Sequence, residues 1–279
     1  ILGLLGLVTG VIIGYRKWIK PRTGLSRQAQ GLLLLLILTM MGGFLGSFGW
    51  WVDDPRTFSW DLPPLAGRML ASAGWAFAVA CFMALGKPTH ERVRLNLWML
   101  FVYLTPLALA IFAFHLDYFD SRAPITYVFF LIVGMMISAT SWYLYKQPRI
   151  MEKTQPSLPA KKVVRNWLSI IVLVMTLWGA ALFVTDSGPT KLIWVWTGDL
   201  LSSRLIGVML LTIAVGAAYS RRSLDTAKVM LAMLLTYSVG IVLASAWGVL
   251  SGKPVVSSYL MVFGLVGGIS GLLLAKNKS

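Results

Sequence analysis

Long apolar runs recur along this chain, and they constrain its fold more than any other feature. Nine runs are apolar, and all but the first have about the 20 residues that a helix needs to cross ~30 Å of hydrocarbon. Because lipid offers no hydrogen-bond partners, each run must satisfy its own backbone groups, which favours helices. The sequence therefore predicts an all-α polytopic membrane protein with about nine transmembrane helices. The runs cover approximately 1–15, 31–51, 64–86, 93–114, 125–145, 166–185, 200–219, 228–250 and 257–275.

Composition agrees with a membrane protein. Of the 279 residues, 57% are hydrophobic and only 13% are charged, which is too little charge for a soluble protein of this size. The single cysteine, Cys81, lies inside an apolar run, so we expect neither a disulfide nor a thiolate metal site.

The basic residues are sorted by side of the membrane. The net charge is +15, and alternate loops hold 19 of the 25 Lys and Arg with three of the ten acids. The other loops hold seven Asp and six basic residues. Since positive loops stay in the cytoplasm, the C-terminus is predicted to be cytoplasmic, in a membrane such as the bacterial plasma membrane. The charge then reflects topology and contact with membrane lipids, and nucleic acid is not an expected partner.

Two related segments suggest an internal repeat. FSWDLPPLAGRM (58–69) and VWTGDLLSSRLI (195–206) each carry a Trp, then an Asp-Leu, then an Arg. A shift of 136 residues places Arg68 on Arg204 and Arg92 on Lys228. Four spans per unit give both units the same orientation, a 4+4 parallel repeat after an N-terminal helix. The predicted parts are 1–30 (N-terminal helix and basic loop), 31–147 (first repeat), 148–164 (cytoplasmic linker) and 165–279 (second repeat).

The repeated acid and arginine have two interpretations. Asp61 and Asp199 precede helices and could cap them, while Arg68 and Arg204 extend toward outer headgroups or a loop carboxylate. Alternatively, these four residues form a candidate site for an anion, a lipid phosphate or a partner's carboxylate, because an arginine within a span is costly.

Glycine spacing predicts close helix packing. Gly6, Gly10 and Gly14 are four residues apart, as are Gly42 and Gly46, and Gly264 and Gly268. Small residues at this spacing let helices approach closely. The contacts are either internal or with other membrane subunits.

Motifs for catalysis and cofactors are scarce. There is no GxSxG, P-loop or HExxH motif, so no catalytic or metal-binding residue is assigned and the chain is not expected to be an enzyme. No cofactor is predicted beyond bound phospholipids, although a pigment on His115 stays open. Asp53 and Asp54 in WWVDDPRTF (50–58) resemble the acidic first outer loop of lipid-linked-sugar glycosyltransferases, where an Asp binds metal or deprotonates an acceptor. That resemblance covers two residues and implies a membrane enzyme acting on a lipid-linked substrate.

Three functions follow as hypotheses. The first is a non-catalytic integral subunit of a larger bioenergetic or transport assembly, because no acid lies in mid-span and no loop is long enough to fold as a domain. The second is a transporter or flippase for an anionic lipid or small anion that uses Arg68 and Arg204. The third is the enzyme implied by Asp53 and Asp54.

Overall fold

A computed structural model describes residues 2–54, 57, 60, 62–150, 158–184, 200–252, 255 and 257–277. Within these ranges the chain forms nine α-helices whose bounds follow the apolar runs closely. The helices are α1 Leu2–Gly14, α2 Arg27–Trp51, α3 Pro64–Gly86, α4 His90–Phe114, α5 Pro124–Lys146, α6 Lys162–Val184, α7 Leu200–Ser220, α8 Leu224–Leu250 and α9 Ser257–Lys276.

The predicted all-α polytopic membrane fold is confirmed. Eight helices, α2 to α9, are long and apolar enough to cross a membrane. The first predicted run differs, because α1 has 13 residues and a π-helical turn at Tyr15–Ile19 continues it.

Local sequence sets the helix starts. Ser26, Thr89 and Ser223 are N-caps whose hydroxyls accept a backbone N–H of the first turn of α2, α4 and α8. Pro64 and Pro124 occupy the first turn of α3 and α5, where the missing N–H costs nothing.

The first and second halves of the chain pack their helices in the same way, and the halves contact each other through α3, α4, α7 and α8. Helix α2 packs against α3 as α6 packs against α7, and α4 packs against α5 as α8 packs against α9. Between these groups, α3 packs against α8 and α7 packs against α4. The four helices α3, α4, α7 and α8 therefore form the centre, as two hairpins that we name the first hairpin (Pro64–Phe114) and the second hairpin (Leu200–Leu250).

Glycine pairs allow the closest helix contacts. A Cβ on Gly43 would lie 2.7 Å from the carbonyl oxygen of Gly74, so α2 and α3 touch backbone to backbone. Gly179 and Gly207 do the same for α6 and α7, where a Cβ on either would lie 2.8 Å from the other's carbonyl oxygen. Any side chain larger than hydrogen would push these helices apart.

The two ends of the helix bundle differ in charge. We name the end that holds the α3–α4 and α7–α8 turns and the start of α6 the basic end, and the opposite end the acidic end. At the basic end the segment before α6 packs on the α7–α8 turn, where the Leu224 N–H donates to the Leu158 carbonyl at 2.8 Å. At the acidic end the ring of Trp60 packs on Phe119 and Phe129.

Candidate functional site

Arg68 lies in the second turn of α3, with 8% of its surface exposed. Its guanidinium carbon stands 3.3 Å from the centroid of the Trp247 ring on α8, a cation–π contact between the two hairpins. One Nη donates to the Pro64 carbonyl at 2.9 Å, while Nε has no hydrogen-bond acceptor among the described residues. Asp53 is close enough to interact with the guanidinium electrostatically. The first hairpin thus holds its arginine mainly on an aromatic face of the second.

Arg204 occupies the corresponding place in α7 and is half-buried. Its Nη1 stands 2.6 Å from Nε2 of His115, the residue that follows α4, and its Nε donates to the Phe183 carbonyl at 3.3 Å. Because arginine only donates, Nε2 is the acceptor in this contact. The guanidinium carbon also lies 4.8 Å from the Phe114 ring centroid. The second hairpin thus holds its arginine on the first.

The structure therefore places the two predicted arginines at different helix interfaces. Arg68 lies between α3 and α8, and Arg204 lies between α7 and the end of α4. Asp61 and Asp199 lie outside the described residues; Pro63 is the N-cap of α3 and supplies no side-chain hydrogen bond. As for the pigment position, Nε2 of His115 is engaged by Arg204.

A reciprocal pair of hydrogen bonds joins the hairpins at the basic end. The hydroxyl of Thr89, the N-cap of α4, donates to the Asp225 carboxylate in the first turn of α8 at 2.9 Å. The hydroxyl of Ser223, the N-cap of α8, donates to the Glu91 carboxylate in the first turn of α4 at 2.6 Å. Each hairpin therefore supplies one hydroxyl and one acid to the other.

Asp225 also forms ion pairs. One Asp225 oxygen accepts from Arg92 at 2.7 Å and from Lys87 at 3.3 Å. The Arg92 side chain is 10% exposed and also donates to the Met83 carbonyl at 3.0 Å, whereas the Lys87 side chain is 63% exposed. Arg92 is therefore the partner that compensates the half-buried carboxylate.

The four residues of the reciprocal hydrogen bonds (Thr89, Glu91, Ser223 and Asp225) were not predicted as a site from the sequence, although a signal was present. THE (89–91) and SLD (223–225) share a hydroxyl, any residue, then an acid, just where an apolar run begins. The two copies of this motif lie at the α3–α4 and α7–α8 turns and are 134 residues apart. The hairpins themselves begin at Pro64 and Leu200 and end at Phe114 and Leu250, 136 apart. The predicted match of Arg92 with Lys228 is accordingly displaced by two residues, and by the caps Arg92 corresponds to Thr226.

A small cavity lies between the hairpins toward the acidic end. Its volume of about 10 Å³ is room for roughly one water. Tyr103, Tyr237 and Leu62 contribute to its wall. The other lining residues come from α3 and α7 and are related in pairs by the 136-residue shift: Ala66 and Ser202, Met69 and Leu205, Leu70 and Ile206, Ala73 and Met209.

The predicted glycines divide into inward and outward positions. A Cβ on Gly10 or Gly14 would meet Met41 or Ile37 of α2, and one on Gly6 would lie 3.6 Å from Leu45. A Cβ on Gly46 would lie 4.0 Å from the ring of Trp50 in its own helix. Gly42, Gly264 and Gly268 have open space where a Cβ would stand.

Asp53 and Asp54 lie in the turn that ends α2. Asp53 adopts a positive φ of 62°, and the Asp54 carbonyl accepts from the Thr57 hydroxyl at 2.7 Å. Among the described residues no three His, Cys, Asp or Glu side chains are grouped to hold a metal. The enzyme hypothesis stays a prediction.

Comparison of the chain with protein-family models, with curated proteins and with solved structures found no match to any of them. The protein is a helical membrane protein whose described residues form eight candidate spans.

Proposed function

We propose that this protein is a non-catalytic integral membrane subunit of a larger bioenergetic or transport assembly. The observation that carries the proposal is the interface between the two hairpins, which polar contacts join at both ends. Arg68 and Arg204 cross it at the acidic end, and the Thr89–Asp225 and Ser223–Glu91 hydrogen bonds cross it at the basic end.

Tight packing fills the interface between those ends. A Cβ on Gly240 of α8 would overlap the Ser72 side chain of α3, and one on Gly216 of α7 would lie 2.8 Å from the Met99 sulfur of α4. Separating the hairpins would unpair polar groups at both ends and open a void between them, and both are costly. This arrangement supports a protein that keeps one shape, as a scaffold subunit does.

The lipid-facing side of α9 offers a surface for a neighbouring helix. Gly267 and Gly271 face α8, whereas Gly264 and Gly268 face outward with open space beyond them. Exposed glycines four residues apart let a second transmembrane helix approach closely enough for extensive van der Waals contact. In the proposed function this face of α9 contacts another subunit.

Native mass spectrometry of gently extracted native membranes tests the proposal. We expect partner subunits at fixed stoichiometry, and we expect Gly264→Leu with Gly268→Leu to release them. Gly134→Leu on α5 is the matched control, because its Cβ would also point into open space. Recovery of the unaltered protein as a lone monomer would refute the subunit proposal.

A transporter for an anionic lipid or small anion is the second candidate, favoured by the cavity that equivalent α3 and α7 residues line. Parallel repeats of known transporters are related by an axis along the membrane normal, and they rock against each other around a substrate site at the repeat interface. In this case the two arginines would act at separate interfaces. Arg68→Gln with Arg204→Gln should abolish uptake or lipid movement in vesicles. Arg122→Gln, which removes one positive charge at an exposed position, should leave it intact; transport that survives the double substitution excludes this mechanism.

A further inference from the structure

A groove opens at the basic end between the first helix and α2, away from the hairpin interface. It has a volume of about 480 Å³ and is lined by Val11, Ile12, Tyr15, Arg16, Lys20 and Leu34. The part of the groove toward the membrane interior is apolar, and its aromatic and cationic residues lie nearest the basic end. This order matches the structure of a phospholipid, with acyl chains deep and a charged headgroup at the surface.

The two cations of the groove are uncompensated. Arg16 and Lys20 are exposed, and neither side chain makes a hydrogen bond or ion pair with another described residue. The chain has 25 basic residues against ten acids, and the loops of this end carry three of those acids. An anion in the groove therefore meets two free cationic side chains one turn apart.

The π-helical turn creates this geometry. The Lys20 N–H reaches back to the Tyr15 carbonyl at 2.9 Å, five residues earlier, so the turn is wider than an α-helical one. The extra residue lets Trp18 and Ile19 face the protein, where both are buried, while Arg16 and Lys20 face the groove.

The turn is also fixed in place. The Trp18 ring packs edge-on against Phe82 of α3, with centroids 5.9 Å apart. The Arg22 guanidinium donates to the carbonyls of Trp18 and Leu85, the latter at 3.0 Å. Burial lowers the pKa of Arg22 by desolvation, and arginine nevertheless stays protonated at neutral pH. The turn that carries Arg16 and Lys20 is thus anchored to α3.

We propose that this groove binds an anionic glycerophospholipid of the leaflet at the basic end. The phosphate lies between Arg16 and Lys20, the Tyr15 hydroxyl donates to one of its oxygens, and an acyl chain lies along Val11, Ile12 and Leu34. Basic pockets beside transmembrane helices on the cytoplasmic side recognise lipid headgroups in this way. The proposal is independent of the subunit and transporter functions.

Lipid titration of the full-length purified protein, followed by native mass spectrometry, tests the site. Phosphatidylglycerol should bind more tightly than neutral phosphatidylcholine. Arg16→Gln with Lys20→Gln should weaken phosphatidylglycerol binding about thirtyfold, since each basic residue near an anionic lipid contributes roughly fivefold. Lys161→Gln with Lys162→Gln removes the same charge from exposed positions of the same end and should change binding less than about twofold.

Two further measurements separate the groove from simple charge attraction. Ile12→Trp fills the apolar part of the groove, keeps both cations and should also weaken phosphatidylglycerol binding. Inorganic phosphate at millimolar concentration should not displace the lipid. Equal losses from the two double substitutions, an Ile12→Trp variant that binds normally, or displacement by phosphate would each overturn the proposal.

Discussion

The two central hairpins have the same architecture and different chemistry. Each places an arginine in the second turn of its first helix, and each arginine reaches an aromatic group near the end of the other hairpin. Arg68 stacks on the face of Trp247 and is buried, whereas Arg204 donates to the imidazole of His115 and is half-buried. The equivalent positions therefore carry out one task, a cross-hairpin contact, through a π face in one case and a lone pair in the other.

At the basic end, the two hairpins are again joined by matching contacts between different side chains. Thr89 and Ser223 make matching hydroxyl–carboxylate bonds to different acids, and Asp225 also receives charged donors, from Arg92 and Lys87. Similar contact geometry is thus made by different side chains at both ends of the interface, which indicates that the geometry is what the fold requires. We therefore expect the loss of stability on substituting a residue to depend on its burial and on the type of its partner. An equivalent position in the two hairpins should not by itself predict that loss.

Arg92 should give the largest loss of stability. Arg92→Met would leave the Asp225 carboxylate, which is 12% exposed, with Lys87 as its only ionic partner among the described residues. We expect a cost of about 3 kcal/mol in the free energy of unfolding. Lys87→Met removes a contact to the same oxygen, and because this lysine is 63% exposed it should cost less than about 1 kcal/mol. Detergent-induced unfolding, followed by circular dichroism, measures the two losses of stability. Equal losses would show that burial does not determine the cost of removing a partner of Asp225.

The next largest difference is expected between glycine substitutions at the α3–α8 and α4–α7 interfaces. A Cβ on Gly240 would lie 3.2 Å from the Ser72 Cα, so α8 must move and Gly240→Ala should cost about 1–3 kcal/mol. A Cβ on Gly216 would meet mainly the sulfur atoms of Met99 and Met230, which can rotate away. Gly216→Ala should therefore be near neutral, helped by the better helix propensity of alanine. The midpoint of thermal unfolding measures both, and the reverse order would contradict the packing described here.

Double-substitution cycles should isolate the arginine contacts. Arg68→Gln with Trp247→Leu should show a coupling of about 1–2 kcal/mol for a desolvated cation–π pair. Arg204→Gln with His115→Leu should show about 1.5–3 kcal/mol for a charged hydrogen bond. The cross-cycle of Arg68 with His115 is the control and should give about zero, because those residues lie at separate helix interfaces. Coupling in the cross-cycle would mean that the arginines act at one joint site.

The sequence was sufficient for the helices and insufficient for their polar contacts. Hydrophobic runs predict α3 at 64–86 within a residue of its observed bounds, because the length of a span is imposed by the bilayer. The partners of Arg68 and Arg204 could not be predicted, since they depend on which helices cross and at what height. The 136-residue shift paired the arginines but hid the offset of the turns, which only the cap hydroxyls of Thr89 and Ser223 reveal. Whether the hairpins arose by duplication stays a prediction.

The smallest expected effects concern the reciprocal caps, and these test the equivalence of the hairpins most directly. Thr89→Val and Ser223→Ala each remove one cap and one hydroxyl–carboxylate bond, and each should cost about 1 kcal/mol. Thr89→Ser keeps both hydrogen bonds and should be close to neutral, as the matched control. If Ser223→Ala costs several times more than Thr89→Val, the Glu91 contact is the dominant link at this end. The Asp225 ion pairs would then be secondary, and the stability order predicted for Arg92 and Lys87 would have to be revised with it.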